Sequence, residues 1–234
     1  MTVTTVFFDA GETLLHAHPT FTDLLASTLV EAGHPLDPEE VHRRAPVIAA
    51  HFSSAAREGD LWTTSATSSR RFWHGVYRAV LEDLGLPPGD DLVDLLYATF
   101  TDLANYRLFD DVLPTLDALR GAGVRLGLVS NFEEWLEALL VALGIAEYFE
   151  VRVVSGIEGL EKPDPRIFLL AMERLGAAPG ESAYVGDSPE FDVVPSSALG
   201  MRAVLIDRRD RHEGIAADRI RSLTDLPATL GVGG

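Results

Sequence analysis

Residues 3–15, VTTVFFDAGETLL, open with a β-branched and aromatic run that stops at Asp9. Such a short apolar run ending in a polar residue predicts a buried strand with a carboxylate at its end. Four later runs have the same form: residues 124–129 ending at Ser130, 151–154 ending at Ser155, 183–185 ending at Gly186 and Asp187, and 203–206 ending at Asp207. Helical patterns lie between them. Val112, Leu116 and Leu119 share a face after Asp111, with Gly121 and Gly123 as stop signals, and Trp135, Leu136, Leu139, Leu140 and Leu143 precede Gly144. Phe168, Ala171, Met172 and Leu175 line a third helix, opened by Pro163 and Pro165 and closed by Gly176. Alternating strand and helix implies an α/β fold, a Rossmann-like parallel sheet covered by helices. Ligands of such sheets gather at the carboxyl ends of the strands, where these polar residues stand.

From about residue 16 to 106 the alternation breaks and only helical patterns are read: 21–32, 38–52, 67–84 and 90–104, with loops at 59–65 and 85–89. The expected organisation is therefore an α/β core of residues 1–15 and 107–234, interrupted after its first strand by an all-helical insertion of residues 16–106. Within the insertion, Trp62, Arg70, Arg71, Trp73 and His74 are candidate specificity residues. The plainer reading makes Phe72, Val76 and Val80 a core stripe, with Arg70 and Arg71 on a solvated face.

The composition of the 234-residue chain bounds its function. It is 47% hydrophobic and 24% charged, which suits a globule with a sizeable core. A net charge of −17 and no basic cluster argue against nucleic acid as a partner. The opening residues lack the form of a signal peptide and no uncharged apolar run reaches spanning length, so no membrane partner and a cytoplasmic location are expected. The absence of cysteine excludes disulfides, thiolate metal sites and cysteine nucleophiles. Of 19 basic residues only Lys162 is a lysine, so chemistry that needs an ammonium has one candidate. Oligomeric state is left open.

Four segments bring different functional groups to strand ends: Asp9 to Thr13, Ser130 with Asn131, Lys162-Pro-Asp, and Gly186 to Asp192. Together they offer carboxylates for a hard cation, a hydroxyl and amides for an anion, and one ammonium. Mg²⁺ prefers a few carboxylates plus waters and substrate phosphate, so the set suits phosphoryl transfer.

In order and spacing these segments resemble the haloacid dehalogenase superfamily. FFDAGETL at 7–14 is similar to its first motif, VSN at 129–131 to its second, GLEKPDPRIF at 159–168 to its third and GDSPEFDVVPSSALGM at 186–201 to its fourth. The resemblance covers residues 2–15 and about 108–206, and the helical insertion looks like the mobile cap of one large subgroup. It implies a Mg²⁺-dependent hydrolase of a small phosphate monoester, working through an aspartyl-phosphate on Asp9. Ser130 and the amide of Asn131 would hold phosphoryl oxygens, Lys162 would offset charge, and Thr13 would support the nucleophile loop. Asp187 would bind the metal together with Asp9 and the carbonyl of Gly11; Asp192 would be a further ligand or the partner that orients Lys162. One departure stands out: Gly11 occupies the place where most phosphatases of the superfamily carry an acid/base Asp. It keeps alive a non-catalytic role in binding a ligand or partner. A 2-haloacid dehalogenase is a further alternative, because it does not need that second Asp, but it leaves Asp187 and Asp192 without a purpose.

Overall fold

The computed structural model describes residues 2–58 and 61–232. Strands β1 (Thr5–Phe8), β2 (Leu15–Ala17), β3 (Tyr106–Leu108), β4 (Arg125–Ser130), β5 (Val151–Val154), β6 (Ser182–Gly186), β7 (Arg202–Ile206) and β8 (Asp218–Ile220) follow in chain order. Six of them form one sheet in the order β5-β4-β1-β6-β7-β8, with every neighbouring pair parallel. All four residues of β1 are buried, as a strand covered on both faces requires. The chain leaves β1 toward β4 and β5 on one side and returns to β6 on the other. This reversal opens a crevice at the carboxyl end of β1, and registers Phe8↔Leu128 and Phe8↔Val185 place Asp9 between the ends of β4 and β6.

The helix Pro165–Leu175 shows how sequence builds this frame. Asp164 caps it by accepting from the Arg166 amide, Pro165 takes a first-turn position where no amide is required, and Gly176 ends it at φ 65°. Its inner face, Ile167, Phe168, Ala171, Met172 and Leu175, packs on Phe7, Val129, Val153 and Tyr184 of the sheet. Each such side chain contributes about 1.5–3 kcal/mol by leaving water. The helix thereby anchors the Lys162 segment that precedes it.

The chain divides into two compact units, Met1–Leu15 with Leu108–Gly234, and His16–Arg107. The second contains helices Phe21–Glu31, Pro38–His42, Ala45–Glu58, Ala66–Asp83 and Asp90–Thr101. Its aromatic interior stacks Phe21 on Phe100 at 4.3 Å and Trp62 on Phe72 at 5.1 Å. Of the expected core stripe Val76 and Val80 are buried and Phe72 is half-buried; Trp62 and Tyr77 are buried as well, while Arg70 and Arg71 are exposed.

Three expectations need correction. The ends of the insertion are not helical: β2 and β3 pair as a separate two-stranded sheet that includes His16, Ala17 and Tyr106. Three-residue strands are too short to show a period, and their pairing is non-local. The helix expected over 38–52 breaks after His42 and resumes at Ala45. Strand β8 was not anticipated, because Asp218-Arg219-Ile220 carries one buried apolar residue. Gly59 and Asp60 of the expected 59–65 loop lie outside the described residues. Among the described residues no helix is long and apolar enough to cross a membrane.

Candidate active site

Asp9, the first residue after β1, is buried, and its Oδ1 accepts from two partners: Ser130 Oγ at 3.0 Å and Lys162 Nζ at 2.7 Å. Ser130 ends the neighbouring strand β4, so adjacency in the sheet alone delivers the hydroxyl. Lys162 comes from the loop before the helix Pro165–Leu175. Asn131 fixes that loop with both ends of its side-chain amide, accepting from the Lys162 backbone amide at 2.7 Å and donating to the Lys162 carbonyl at 2.9 Å.

Lys162 Nζ uses its other donors on Asp192 Oδ1 at 2.6 Å and on Tyr184 Oη at 3.2 Å; the Tyr184 hydroxyl donates onward to the Val129 carbonyl at 2.8 Å. Asp192 Oδ2 accepts from the Ser188 amide at 2.9 Å, so both of its oxygens are engaged. One carboxylate oxygen from each of Asp9, Asp187 and Asp192 lies within 4.8 Å of the others. Three carboxylates thus face one ammonium, and the cluster carries an excess of negative charge. Burial, then the charges of Asp192 and Asp9, push the Asp187 carboxyl well above its ordinary value. Burial pulls Lys162 down, but Asp192 and Asp9 outweigh it and hold the ammonium well above its ordinary value.

The loop after Asp9 is tight. Leu14 and Leu15 amides both donate to the Ala10 carbonyl, at 2.8 and 3.0 Å, and the Glu12 amide donates to the Leu15 carbonyl at 2.7 Å. Glu12 sits at φ 54°, a left-handed conformation uncommon for a residue with a Cβ, and its carboxylate is 3.5 Å from Arg209 on the surface. Gly11 is not in that region, and a Cβ added there would meet nothing within 4 Å. Thr13 is fully buried; its hydroxyl has no hydrogen-bond partner, while its carbonyl accepts from Arg208 at 2.7 Å.

The structure therefore brings Asp9, Ser130, Lys162, Asp187 and Asp192 to one place. Asn131 reaches it through its side chain, which holds the Lys162 backbone, and Thr13 lies in the loop after Asp9 with its carbonyl on Arg208. Sequence reading missed Tyr184, a core tyrosine whose hydroxyl touches Lys162, and gave Gly186 no role beyond ending its strand. A Cβ on Gly186 would fall on the Asp192 side chain, and the glycine immediately before Asp187 was the available signal.

An all-parallel sheet with an acidic cluster and a single buried ammonium at its switch point defines a Rossmann-like α/β protein with a charged site at its strand ends. The chain belongs to the haloacid dehalogenase-like hydrolase family, whose pattern it matches over residues 3–200. It is 30% identical over 232 residues, 96% of this chain and 95% of the other, to haloacid dehalogenase-like hydrolase domain-containing protein 3 of Danio rerio. It is 34% identical to a phosphoserine phosphatase of Thermus thermophilus, across 70% of this chain and 68% of that one. Among solved structures, a HAD-hydrolase of Bacillus subtilis bound to magnesium superposes with a TM-score of 0.81 at 18% identity, covering 98% of this chain and 99% of that one. Solved dehalogenases share the fold as well.

Proposed function

We propose that the chain hydrolyses a small phosphate monoester through an aspartyl-phosphate on Asp9, with Mg²⁺ as its cation. The observation that carries this reading is the Asp9 carboxylate: buried, held through Oδ1 by Ser130 and Lys162, and within 4.8 Å of two further carboxylates. The phosphatase name of the Thermus relative points the same way.

The donor set fits a hard cation, being all oxygen and carrying more negative charge than Lys162 neutralises. Asp9, Asp187 and the Gly11 carbonyl would hold it. Asp192, with both oxygens already accepting hydrogen bonds, serves as the partner that orients Lys162. Bound Mg²⁺ supplies charge neutralisation for the phosphoryl oxygens.

The remaining chemistry belongs to the chain. An Asp9 carboxylate oxygen attacks phosphorus and the ester oxygen leaves with its electron pair and takes a proton from solvent; water then attacks the phosphorus of the acyl phosphate, gives its proton to solvent and expels the Asp9 carboxylate, leaving free phosphate. Lys162 holds the Asp9 side chain through Oδ1, while the Ser130 hydroxyl and Asn131 amide receive the phosphoryl oxygens. Residues 16–106 take the part of the cap, which sets the ester accepted. The dehalogenase reading leaves the Asp187–Asp192 acid pair idle and is disfavoured for that reason. Gly11 is the observation behind a second reading, ligand binding without turnover.

The test is hydrolysis of p-nitrophenyl phosphate across a Mg²⁺ titration, in wild type and in Asp9→Asn. Expected is Mg²⁺-dependent release of nitrophenolate, lost in the variant while its cooperative thermal unfolding remains. Release that survives the substitution overturns the nucleophile. Halide release from 2-chloropropionate would favour the dehalogenase reading, and Mg²⁺ binding with neither release nor phosphoenzyme would favour the binding protein.

A further inference from the structure

An ammonium has three hydrogens to donate, and Lys162 commits all of them inside the protein. Two go to carboxylate oxygens, Asp9 Oδ1 at 2.7 Å and Asp192 Oδ1 at 2.6 Å, and the third to the Tyr184 hydroxyl at 3.2 Å. Lys162 and Tyr184 are both buried, and Tyr184 belongs to the apolar cluster of Phe7, Val129, Phe168 and Met172. A donor left without an acceptor at such a depth carries the full cost of its lost hydration. A phenylalanine would pack in this cluster as well as a tyrosine does, so packing alone gives no reason for the oxygen.

The single proton of that hydroxyl is committed elsewhere. It goes to the Val129 carbonyl at 2.8 Å, which turns an oxygen lone pair toward Lys162. Burial pushes the hydroxyl well above its ordinary pKa, although the Lys162 charge pulls the other way, so the proton stays in place. Strand register explains how one side chain reaches both partners. Tyr184 lies on β6 opposite Phe7 of β1, and β1 separates β6 from β4. Since its hydroxyl meets Val129 of β4, the side chain spans the strand whose end carries Asp9. Val129 precedes Ser130, so Tyr184 touches both elements that supply donors to Asp9 Oδ1, the ammonium directly and the Ser130 strand one residue back. Its ring stands edge-on to Phe168 at 5.0 Å, which fixes where the hydroxyl points.

We propose that Tyr184 is a positioning residue for the reaction at Asp9: its hydroxyl takes the third donor of Lys162 and locks the ammonium between Asp9 and Asp192. The role rests on the reading of Asp9 as the nucleophile. Two carboxylate contacts alone leave the ammonium one hydrogen that can turn toward a phosphoryl oxygen of the substrate and draw Nζ off Asp9 Oδ1. The third contact removes that option, so Lys162 acts on the carboxylate and leaves the phosphoryl oxygens to other donors. A carboxylate held in one orientation starts nearer to the geometry of attack, a gain that enters kcat rather than KM.

Lys162 is the chain's single lysine, so protein grown with side-chain ¹⁵N-lysine shows one ammonium signal by NMR. Full-length wild type, Tyr184→Phe and Leu175→Ala are compared in Mg²⁺ by this signal and by hydrolysis of p-nitrophenyl phosphate. Leu175→Ala thins the same apolar cluster at the end of the helix far from Lys162. In wild type, an ammonium with every donor engaged should exchange its hydrogens with water at least about tenfold more slowly than free lysine. Tyr184→Phe should move the signal, speed the exchange and lower kcat about tenfold, the value of one hydrogen bond to a charged group, with KM within about twofold. Leu175→Ala should melt lower yet keep the ammonium signal, with kcat within about twofold of wild type. The proposal is overturned if wild-type exchange matches free lysine, if Tyr184→Phe leaves the signal and its exchange unchanged, if the two variants lose kcat alike, or if KM rises as far as kcat falls. The first of these outcomes needs no variant. The ammonium signal does not depend on turnover, so a wild type that hydrolyses no ester ends the phosphatase reading alone, and the signal still decides whether Tyr184 holds Lys162.

Discussion

Arg208 and Asp111 meet in a two-pronged ion pair, Nη1 at 2.8 Å from Oδ2 and Nη2 at 2.9 Å from Oδ1. Arg208 Nη2 also donates to the Thr13 carbonyl at 2.7 Å, and its guanidinium lies 3.7 Å from the Phe109 ring centroid. Asp111 accepts in addition from the Ser222 hydroxyl at 2.8 Å and the Leu223 amide at 2.9 Å. One pair thus ties the end of β7, the start of the helix Val112–Gly121, the C-terminal segment and the loop that follows Asp9.

With side-chain exposures of 16% and 13%, this pair is shielded enough that removing one partner strands a mostly buried charge. Arg208→Ala should lower the unfolding free energy by roughly 2–4 kcal/mol, read from urea denaturation. Arg208→Lys should recover only part of the loss, because an ammonium cannot span both carboxylate oxygens and the Thr13 carbonyl in one plane. A loss below about 0.5 kcal/mol, the level of an ordinary surface change, would refute the clamp.

Acid should weaken the fold through the same residue. Burial pushes the Asp111 carboxyl up, but Arg208, the Leu223 amide and Ser222 outweigh it and hold it below the usual carboxylate value. Asp207 is similar: burial raises it, and the Arg211 and His212 amides with Arg219 bring it below its ordinary value. A carboxylate depressed in the folded state contributes stability above its unfolded pKa of about 3.9 and loses it as pH falls through the lower folded value. Thermal melts from neutral pH down should show wild type losing stability once below about pH 4, with Asp111→Asn less stable throughout but flatter over that interval.

The five runs that end at Asp9, Ser130, Ser155, Asp187 and Asp207 were legible because a buried parallel strand is apolar along its length and its polar end is abrupt. Lys162 was legible as the chain's single lysine. The pairing of Arg208 with Asp111 was not, since 97 residues separate them and neither belongs to a periodic pattern. Tyr184 was hidden by its burial: on paper it is one more apolar residue of β6. Strand β2 escaped because His16 stands in a three-residue segment whose partner lies beyond the whole helical insertion.

Gly186 at the end of β6 leaves room for Asp192, which is pinned by Lys162 at 2.6 Å and by the Ser188 amide at 2.9 Å and cannot swing aside. Gly186→Ala should therefore displace the Asp192 carboxylate and loosen its hold on Lys162. The expected cost is about 1–3 kcal/mol in stability, with phosphatase kcat falling more than KM rises. Unchanged kcat in a variant that melts as wild type would show that Asp192 does not position Lys162.

Gly11 yields the sharpest expectation, because it bears on which step needs a proton. Expelling an alkoxide requires a general acid, whereas nitrophenolate leaves unaided, so wild type should strongly favour aryl over alkyl phosphates. Glu12 is the neighbouring carboxylate, but its left-handed backbone places it within 3.5 Å of Arg209, with 43% of its side chain exposed, so it is directed to a surface ion pair. With no carboxylate at position 11 to activate water, the acyl phosphate on Asp9 should accumulate, detectable by acid quench after mixing with labelled substrate. Gly11 has an ordinary backbone conformation, and a Cβ there meets nothing within 4 Å, so Gly11→Asp can be accommodated without strain. Turnover of an alkyl phosphate should then rise, by up to about 10²–10⁴-fold if the new carboxyl reaches the ester oxygen. The reverse pattern would identify Glu12 as the proton donor: brisk wild-type turnover of alkyl phosphates, no trapped phosphoenzyme, no gain in Gly11→Asp and a collapse in Glu12→Gln.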